Sequence, residues 1–196
     1  MDQEKFHSQL DFIIELDKLK NVSRVTLLLD SSRNENSAEH SWHAALIALL
    51  LEEYSNEKVD ISKVIKMLLI HDIVEIDAGD TFLYSSKGNA EKPEKEKKAA
   101  ERLFGLLPGG QGSAMRSLWE EFETGETAES RFAKAVDRIQ PMLHNYLTKG
   151  VQWKKHGVTS RMVLEKNSII EKSFPGIWEY MKAMIDDAVG KGYLAE

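Results

Sequence analysis

Apolar residues recur every three or four positions through most of this chain, and polar interruptions divide the pattern into helix-sized lengths. Over 4–20, Phe6, Leu10, Ile13, Ile14, Leu16 and Leu19 predict a first amphipathic helix. From Asn21 to Ala38 the period fails. Val25-Thr-Leu-Leu-Leu gives way to Asp30-Ser-Ser-Arg-Asn-Glu-Asn-Ser, a polar cluster that predicts a loop between helices. Ser37-Ala-Glu-His opens a second helix, followed by Trp42, Ala45, Leu46, Leu49 and Leu50. The spacing predicts a third over about 60–78, where Ile61, Val64, Ile65, Leu68, Leu69, Asp72 and Ile76 mark one broad face. Asp60 or Ser62 can cap its start, and Gly79 can supply the left-handed turn that ends it.

Beyond a loop over 81–89, Glu91 to Glu101 is a dense mixed-charge run that reads as a solvated helical face leading into Leu103, Phe104, Leu106 and Leu107. Pro108-Gly-Gly-Gln-Gly is a helix-to-helix turn and lacks the spacing of either nucleotide-binding glycine loop. Met115, Leu118, Trp119 and Phe122 predict a short helix. A longer one over about 127–147 carries Phe132, Ala135, Val136, Ile139, Leu143 and Leu147 as its stripe, with Pro141 interrupting its hydrogen bonding. Gln152 to Gly157 reads as a loop holding Trp153 and His156, and helices over 162–170 and 177–188 close the chain. Trp178, Tyr180 and Met181 either complete the core or form an interface. There is no alternating strand of useful length, no repeat and no second domain. The expectation is an all-α bundle of about eight helices in one domain, 1–196, with closing helices over about 159–190.

With 196 residues, 42% of them hydrophobic, the chain can fill one core. A formal net charge of -6 argues against a general nucleic-acid binder, which shows a basic face. The longest strongly apolar run, Ala44 to Leu51, is far short of the roughly 20 residues that cross a bilayer. With a first few residues unlike a signal peptide, this leads to the expectation of a cytoplasmic protein without membrane contact. Cysteine is absent, so any metal must be held by His, Asp or Glu.

Chemistry concentrates in Met67-Leu-Leu-Ile-His71-Asp72-Ile-Val-Glu75, where a His-Asp pair interrupts an apolar run. Burying that pair without partners is costly, so it needs hydrogen bonds, a cation, or both. On a helix, His71, Asp72 and Glu75 can face one cavity, and imidazole with carboxylate suits zinc, manganese, iron or cobalt. A core His-Asp hydrogen bond is the plainer alternative. His40 and His43 stand one turn apart, and only one of them need point inward. Asp137 borders the stripe of its helix, either paired with Arg138 or Arg131 or serving as a further ligand. Arg24 and Arg33 flank the polar cluster, and Lys87 or Lys92 can approach a substrate phosphate from the following loop.

His40, His71-Asp72 and Asp137, spread over three helices, resemble the HD-domain superfamily of metal-dependent phosphohydrolases. Glu35-Asn-Ser-Ala-Glu39-His40-Ser, His71-Asp72-Ile-Val-Glu75, Ala78-Gly79-Asp80 and a helical Asp137 are similar to the branch containing the bacterial 5'-deoxynucleotidases and their eukaryotic relatives, over roughly 10–147. The resemblance implies that His40, His71, Asp72 and Asp137 bind one divalent cation: manganese, cobalt, iron, nickel or zinc. It favours His40 over His43. It implies that Glu75 and Asp80 handle the attacking water or the leaving group, and that Arg24 or Arg33 engages the substrate phosphate. Two-metal members carry extra histidines between the central His-Asp and the last aspartate, and this chain has none there. Members carry an aromatic residue soon after the first arginine, where Val25 stands here, so base and sugar recognition are not carried over. The implied activity is hydrolysis of (deoxy)nucleoside 5'-monophosphates to nucleoside and phosphate, in a homodimer. The alternatives are a phosphohydrolase of an alarmone or nucleoside triphosphate, and a non-catalytic metal-containing ligand sensor.

Overall fold

A computed structural model describes residues 2–85 and 88–196, the side chains of 88–90 aside. The chain opens with α1 (Gln3–Leu16), capped by Asp2, whose carboxylate accepts from the Lys5 N–H at 3.1 Å. A 3₁₀ turn over Asp17–Asn21 leads to two short antiparallel strands, β1 (Ser23–Leu27) and β2 (Asn34–Asn36). Then come α2 (Ser37–Leu51), α3 (Ile61–Ile70), α4 (Glu75–Ala78), α5 (Gly88–Phe104), α6 (Gly110–Thr124) and α7 (Ala128–Leu147). The closing elements are α8 (Val151–Lys155), α9 (Ser160–Asn167), α10 (Ile169–Ser173) and α11 (Pro175–Gly190). Eight of the described helices run for eight residues or more, and the fold is all-α with a two-stranded ribbon.

The helix starts follow ordinary capping chemistry. Asn36 and Glu39 form a reciprocal capping box at α2, Asp60 accepts from the Ser62 and Lys63 N–H groups at α3, and Thr127 pairs with Ser130 at α7. Helix α7 is the axis of the molecule. It buries Phe132, Ala133, Ala135, Val136, Ile139 and Met142 against α2, α3, α10 and α11. A second apolar cluster joins Phe12, Leu19, Ile70, Ile73, Val74, Leu103, Phe104 and Trp119 between α1, α5 and α6. Trp178 and Met181 are buried in the first cluster, so they complete the core, while Tyr180 is exposed.

Three expectations are corrected. The helix predicted over 60–78 ends at Ile70, and the chain continues through tight turns, with the Ile73 N–H on the Ile70 carbonyl and the Glu75 N–H on the Asp72 carbonyl. The Leu68 carbonyl, which an unbroken α-helix offers to the Asp72 N–H, accepts from the His71 ring at 2.8 Å. Those turns send Ile73 and Val74 into the second cluster while His71 and Asp72 line the pocket described below. The segment 21–38 contains the β-ribbon where a loop was expected. Its inward residue on β2 is Glu35, so no apolar alternation announces it. The expected loop over 152–157 is largely α8, with Trp153 buried.

Candidate metal and phosphate site

Four side chains from three segments converge. His40, in the first turns of α2, is fully buried, and its Nε2 lies 2.8 Å from Asp137 Oδ1 on α7. His71 donates from Nδ1 to the Leu68 carbonyl, so in the neutral ring the lone pair is on Nε2. That nitrogen stands 3.1 Å from Asp72 Oδ1 and 3.6 Å from Asp137 Oδ1, and it is buried without a hydrogen-bond partner. One ligand atom from each of His40, His71 and Asp72 fits within 4.8 Å of the others. Two imidazoles and two carboxylates with an orphaned inward nitrogen fit a divalent cation of the borderline kind. The alternative partners of Asp137 sort themselves out: Arg138 approaches its outer oxygen at 3.6 Å, while Arg131 pairs with Glu57 at 2.7 Å.

Arg24, carried by β1, bridges the carboxylates next to this centre. Its Nη1 donates to Asp72 Oδ2 at 2.7 Å and stands 3.7 Å from Asp80 and 4.0 Å from Glu75. Glu75 opens α4 and accepts from the Ser37 hydroxyl at 2.6 Å. Gly79 at φ +75° makes the turn that returns Asp80 to the pocket, a conformation that glycine adopts without a Cβ penalty.

The carboxyl groups divide electrostatically. Burial works against ionisation of Asp137, but Arg138, His40 and His71 outweigh it and hold the group well below the usual carboxylate range. Asp72 is lowered for the same kind of reason, burial being overcome by His71, Arg24 and His40. Burial and the neighbouring Asp72 instead push Glu75 well up, and burial pushes Asp80 up despite Arg24. Burial opposes the charged form of His40, and Arg24 adds to that, yet Asp137, Glu35 and Asp72 raise it to about 9. Two carboxyl groups are thus shifted down beside two shifted up, a separation characteristic of acid–base sites.

The pocket that opens onto these groups encloses about 930 Å³, including its solvent-open mouth. Among the described residues its wall carries four cationic side chains, Arg24, Lys92, Lys134 and Arg138, against six carboxyls, Asp72, Glu75, Asp80, Glu96, Glu123 and Asp137. Phe82, Tyr84, Phe122 and Trp153 give the pocket an aromatic side. Arg33 lies elsewhere: it is exposed and forms a two-pronged pair with Glu39 at 2.5 and 2.8 Å, which corrects its expected place at the substrate. Lys87 lies outside the described residues. His43 is half-buried behind His40, and burial and His144 lower its pKa.

Sequence reasoning passed over Glu35 and Gln140 as functional groups. Gln140 is fully buried on α7, one turn beyond Asp137 and four residues after Val136, so a polar side chain on the apolar stripe was the available signal.

Fold and site together define an all-helical protein in which two histidines and two aspartates converge beside one pocket. The HD domain family model matches residues 16–178, and the chain belongs to that family. A 5'-deoxynucleotidase HDDC2 of Xenopus laevis is 32% identical over 137 residues, which cover 69% of this chain and 67% of that one. The 5'-deoxynucleotidase HDDC2 of Homo sapiens is 27% identical, with 69% and 66% covered. A crystal structure titled as a predicted metal-dependent phosphohydrolase, from Magnetospirillum magnetotacticum MS-1, matches with a TM-score of 0.94 at 53% identity, over 98% of this chain and 96% of that one.

Proposed function

We propose that this protein is a metal-dependent phosphohydrolase that converts nucleoside 5'-monophosphates, deoxy forms among them, to nucleoside and phosphate. The observation that carries the reading is the buried, unpartnered Nε2 of His71, facing two carboxylates and the second histidine. The similarity to proteins named 5'-deoxynucleotidase supports the substrate class. His40, His71, Asp72 and Asp137 would hold one divalent cation, of which manganese and cobalt are the first to test. When bound, such a cation neutralises phosphoryl oxygens and lowers the pKa of water.

The chain's own residues do the rest. Arg24 points its guanidinium into the pocket and steadies Asp72. Glu75, held by Ser37, accepts a proton from the attacking water or aligns it for in-line displacement. Asp80 is placed to give a proton to the departing nucleoside alkoxide, and its upward pKa shift favours that role. Lys92, Lys134 and Arg138 ring the remainder of the pocket and favour an anionic ligand. These cations also support a second reading, a substrate with more than one phosphate.

No helix of the described chain is long and apolar enough to cross a membrane, which supports a cytoplasmic location within this reading. Exposed Trp42, Leu46, Leu49 and Leu50 on α2 support a homodimer.

The test is phosphate release by metal-stripped protein from a panel of ribo- and deoxyribonucleoside 5'-monophosphates, with and without added manganese or cobalt. Metal-dependent release of single orthophosphates is the expected result. Tripolyphosphate from a triphosphate, with nothing from monophosphates, would move the assignment to the second reading.

A further inference from the structure

Behind His40 lies a second buried cluster that the proposed reaction does not use. His144 on α7 donates from Nδ1 to the Leu27 carbonyl of β1 at 2.9 Å. In the neutral ring its Nε2 carries the lone pair, and that nitrogen lies 3.2 Å from Gln140 Nε2. The same amide nitrogen donates to Glu35 Oε1 at 2.6 Å and stands 3.5 Å from His43 Nδ1. Glu35, His43 and His144 have ligand atoms within 4.8 Å of one another, the arrangement of a cation site, but the Gln140 amide stands among them and supplies the positive end of a dipole instead.

This surrounding fixes which way the amide faces. A carboxylate and an acceptor imidazole nitrogen both demand the NH₂ end, so Oε1 must point the other way, where it meets His40 Nδ1 at 3.0 Å. An amide oxygen only accepts, so His40 Nδ1 must carry a hydrogen. A polarised chain then runs from the Leu27 carbonyl through His144 and Gln140 to His40, every donor facing the same direction. We propose that Gln140 is the positioning residue of the metal centre, holding His40 with its hydrogen on Nδ1 so that Nε2 is reserved for the cation. Asp137 and Gln140 are three residues apart on α7, so one helix supplies a ligand and orients a ligand borne by another.

The inference rests on the metal-centre reading above, and zinc serves as the probe of both. Zinc affinity, measured by competition with a chromophoric chelator, is expected to fall by about 10- to 100-fold in Gln140→Met, which keeps side-chain length and removes the amide. Combining Gln140→Glu with Glu35→Gln reverses donor and acceptor across the 2.6 Å contact and keeps an acceptor for His40, so most of the affinity should return. A purely space-filling role would not be rescued in this way. Unchanged affinity in Gln140→Met overturns the proposal. If that variant does not fold, a long-range ¹H–¹⁵N correlation spectrum of the zinc-loaded native protein decides alone: a hydrogen on His40 Nδ1 supports the role, and one on Nε2 overturns it. His40→Ala separates the two claims. Native affinity in His40→Ala would remove the metal centre and the role of Gln140 with it. Lost affinity there, alongside native affinity in Gln140→Met, would overturn only the latter.

Discussion

His71 Nε2 and Asp137 Oδ1 face each other across 3.6 Å with no hydrogen bond between them, one on the turn after α3 and the other on α7. Two buried groups held at that separation by different elements leave a place that a cation would fill. His71→Ala is therefore expected to abolish stoichiometric metal binding and to erase the rise in unfolding temperature that added metal gives the native protein. Elemental analysis and thermal unfolding with and without chelator check this. Full metal content in a folded variant would count against the site.

Asp72→Ala should behave differently from His71→Ala. It removes a ligand and also strips Arg24, a nearly buried guanidinium, of its 2.7 Å partner. A cost of about 3 kcal/mol should therefore persist without metal, because the charge left behind keeps only more distant carboxylates. Equal chemical-denaturation stabilities of the two metal-free variants would contradict this.

Glu75→Gln keeps an acceptor for the Ser37 hydroxyl and removes the titratable oxygen. Metal content should stay native while turnover falls on the order of 10²-fold. Native turnover would end the proposed role of Glu75.

The elevated pKa of His40, about 9, sets a pH dependence for the metal-free protein. The folded state binds this proton more tightly than the unfolded chain does. The stabilisation is thus complete below the unfolded value near 6.5 and is lost as pH rises through about 9. Urea unfolding at pH 6.5 and 9.5 should show a decline that His40→Gln lacks. Metal loading below pH 9 should correspondingly release a proton, since a ligating imidazole nitrogen cannot keep its hydrogen. A decline of the same size in both proteins would reject the assignment.

Arg33→Ala should leave turnover, KM and the unfolding midpoint near native values, because its side chain bonds only the half-buried Glu39 and the Asn34 carbonyl among the described contacts, away from the pocket. A large rise in KM would return Arg33 to the substrate.

Helix α7 could be read from the sequence because it buries one stripe, so that its apolar face follows directly from Phe132, Val136 and Ile139, whereas the periodic positions Ile13 and Ile14 of α1 and Trp42 and Leu49 of α2 are exposed. The four groups at the centre also stood out, since His40, His71, Asp72 and Asp137 are polar residues placed in or beside apolar runs. What stayed hidden depends on partners distant in sequence. The ribbon is held by Glu35 and two asparagines with no apolar alternation, and the break after Ile70 depends on a ring bonding its own helix's carbonyl. Arg24 and Arg33 are alike as letters. Only the folded ribbon shows that one faces the buried carboxylates of the pocket and the other a solvent-accessible glutamate.

That ribbon also sets how the molecule can go wrong. Ser23 pairs with Asn36 and Leu27 with Asn34, so four steps on one strand oppose two on the other across a bulge. The alignment is pinned by side-chain and backbone bonds such as Asn34 Nδ2 to the Arg24 carbonyl at 2.7 Å and the Ser37 N–H to the Val22 carbonyl at 3.0 Å, with no broad apolar face to enforce it. A slip of one residue would swing Arg24 away from Asp72 and shift the Leu27 carbonyl from His144, yet the helical core around α7 would be untouched. Damage at Asn34 should accordingly yield a soluble, helical, heat-resistant impostor, passing every assay for folding while holding metal poorly.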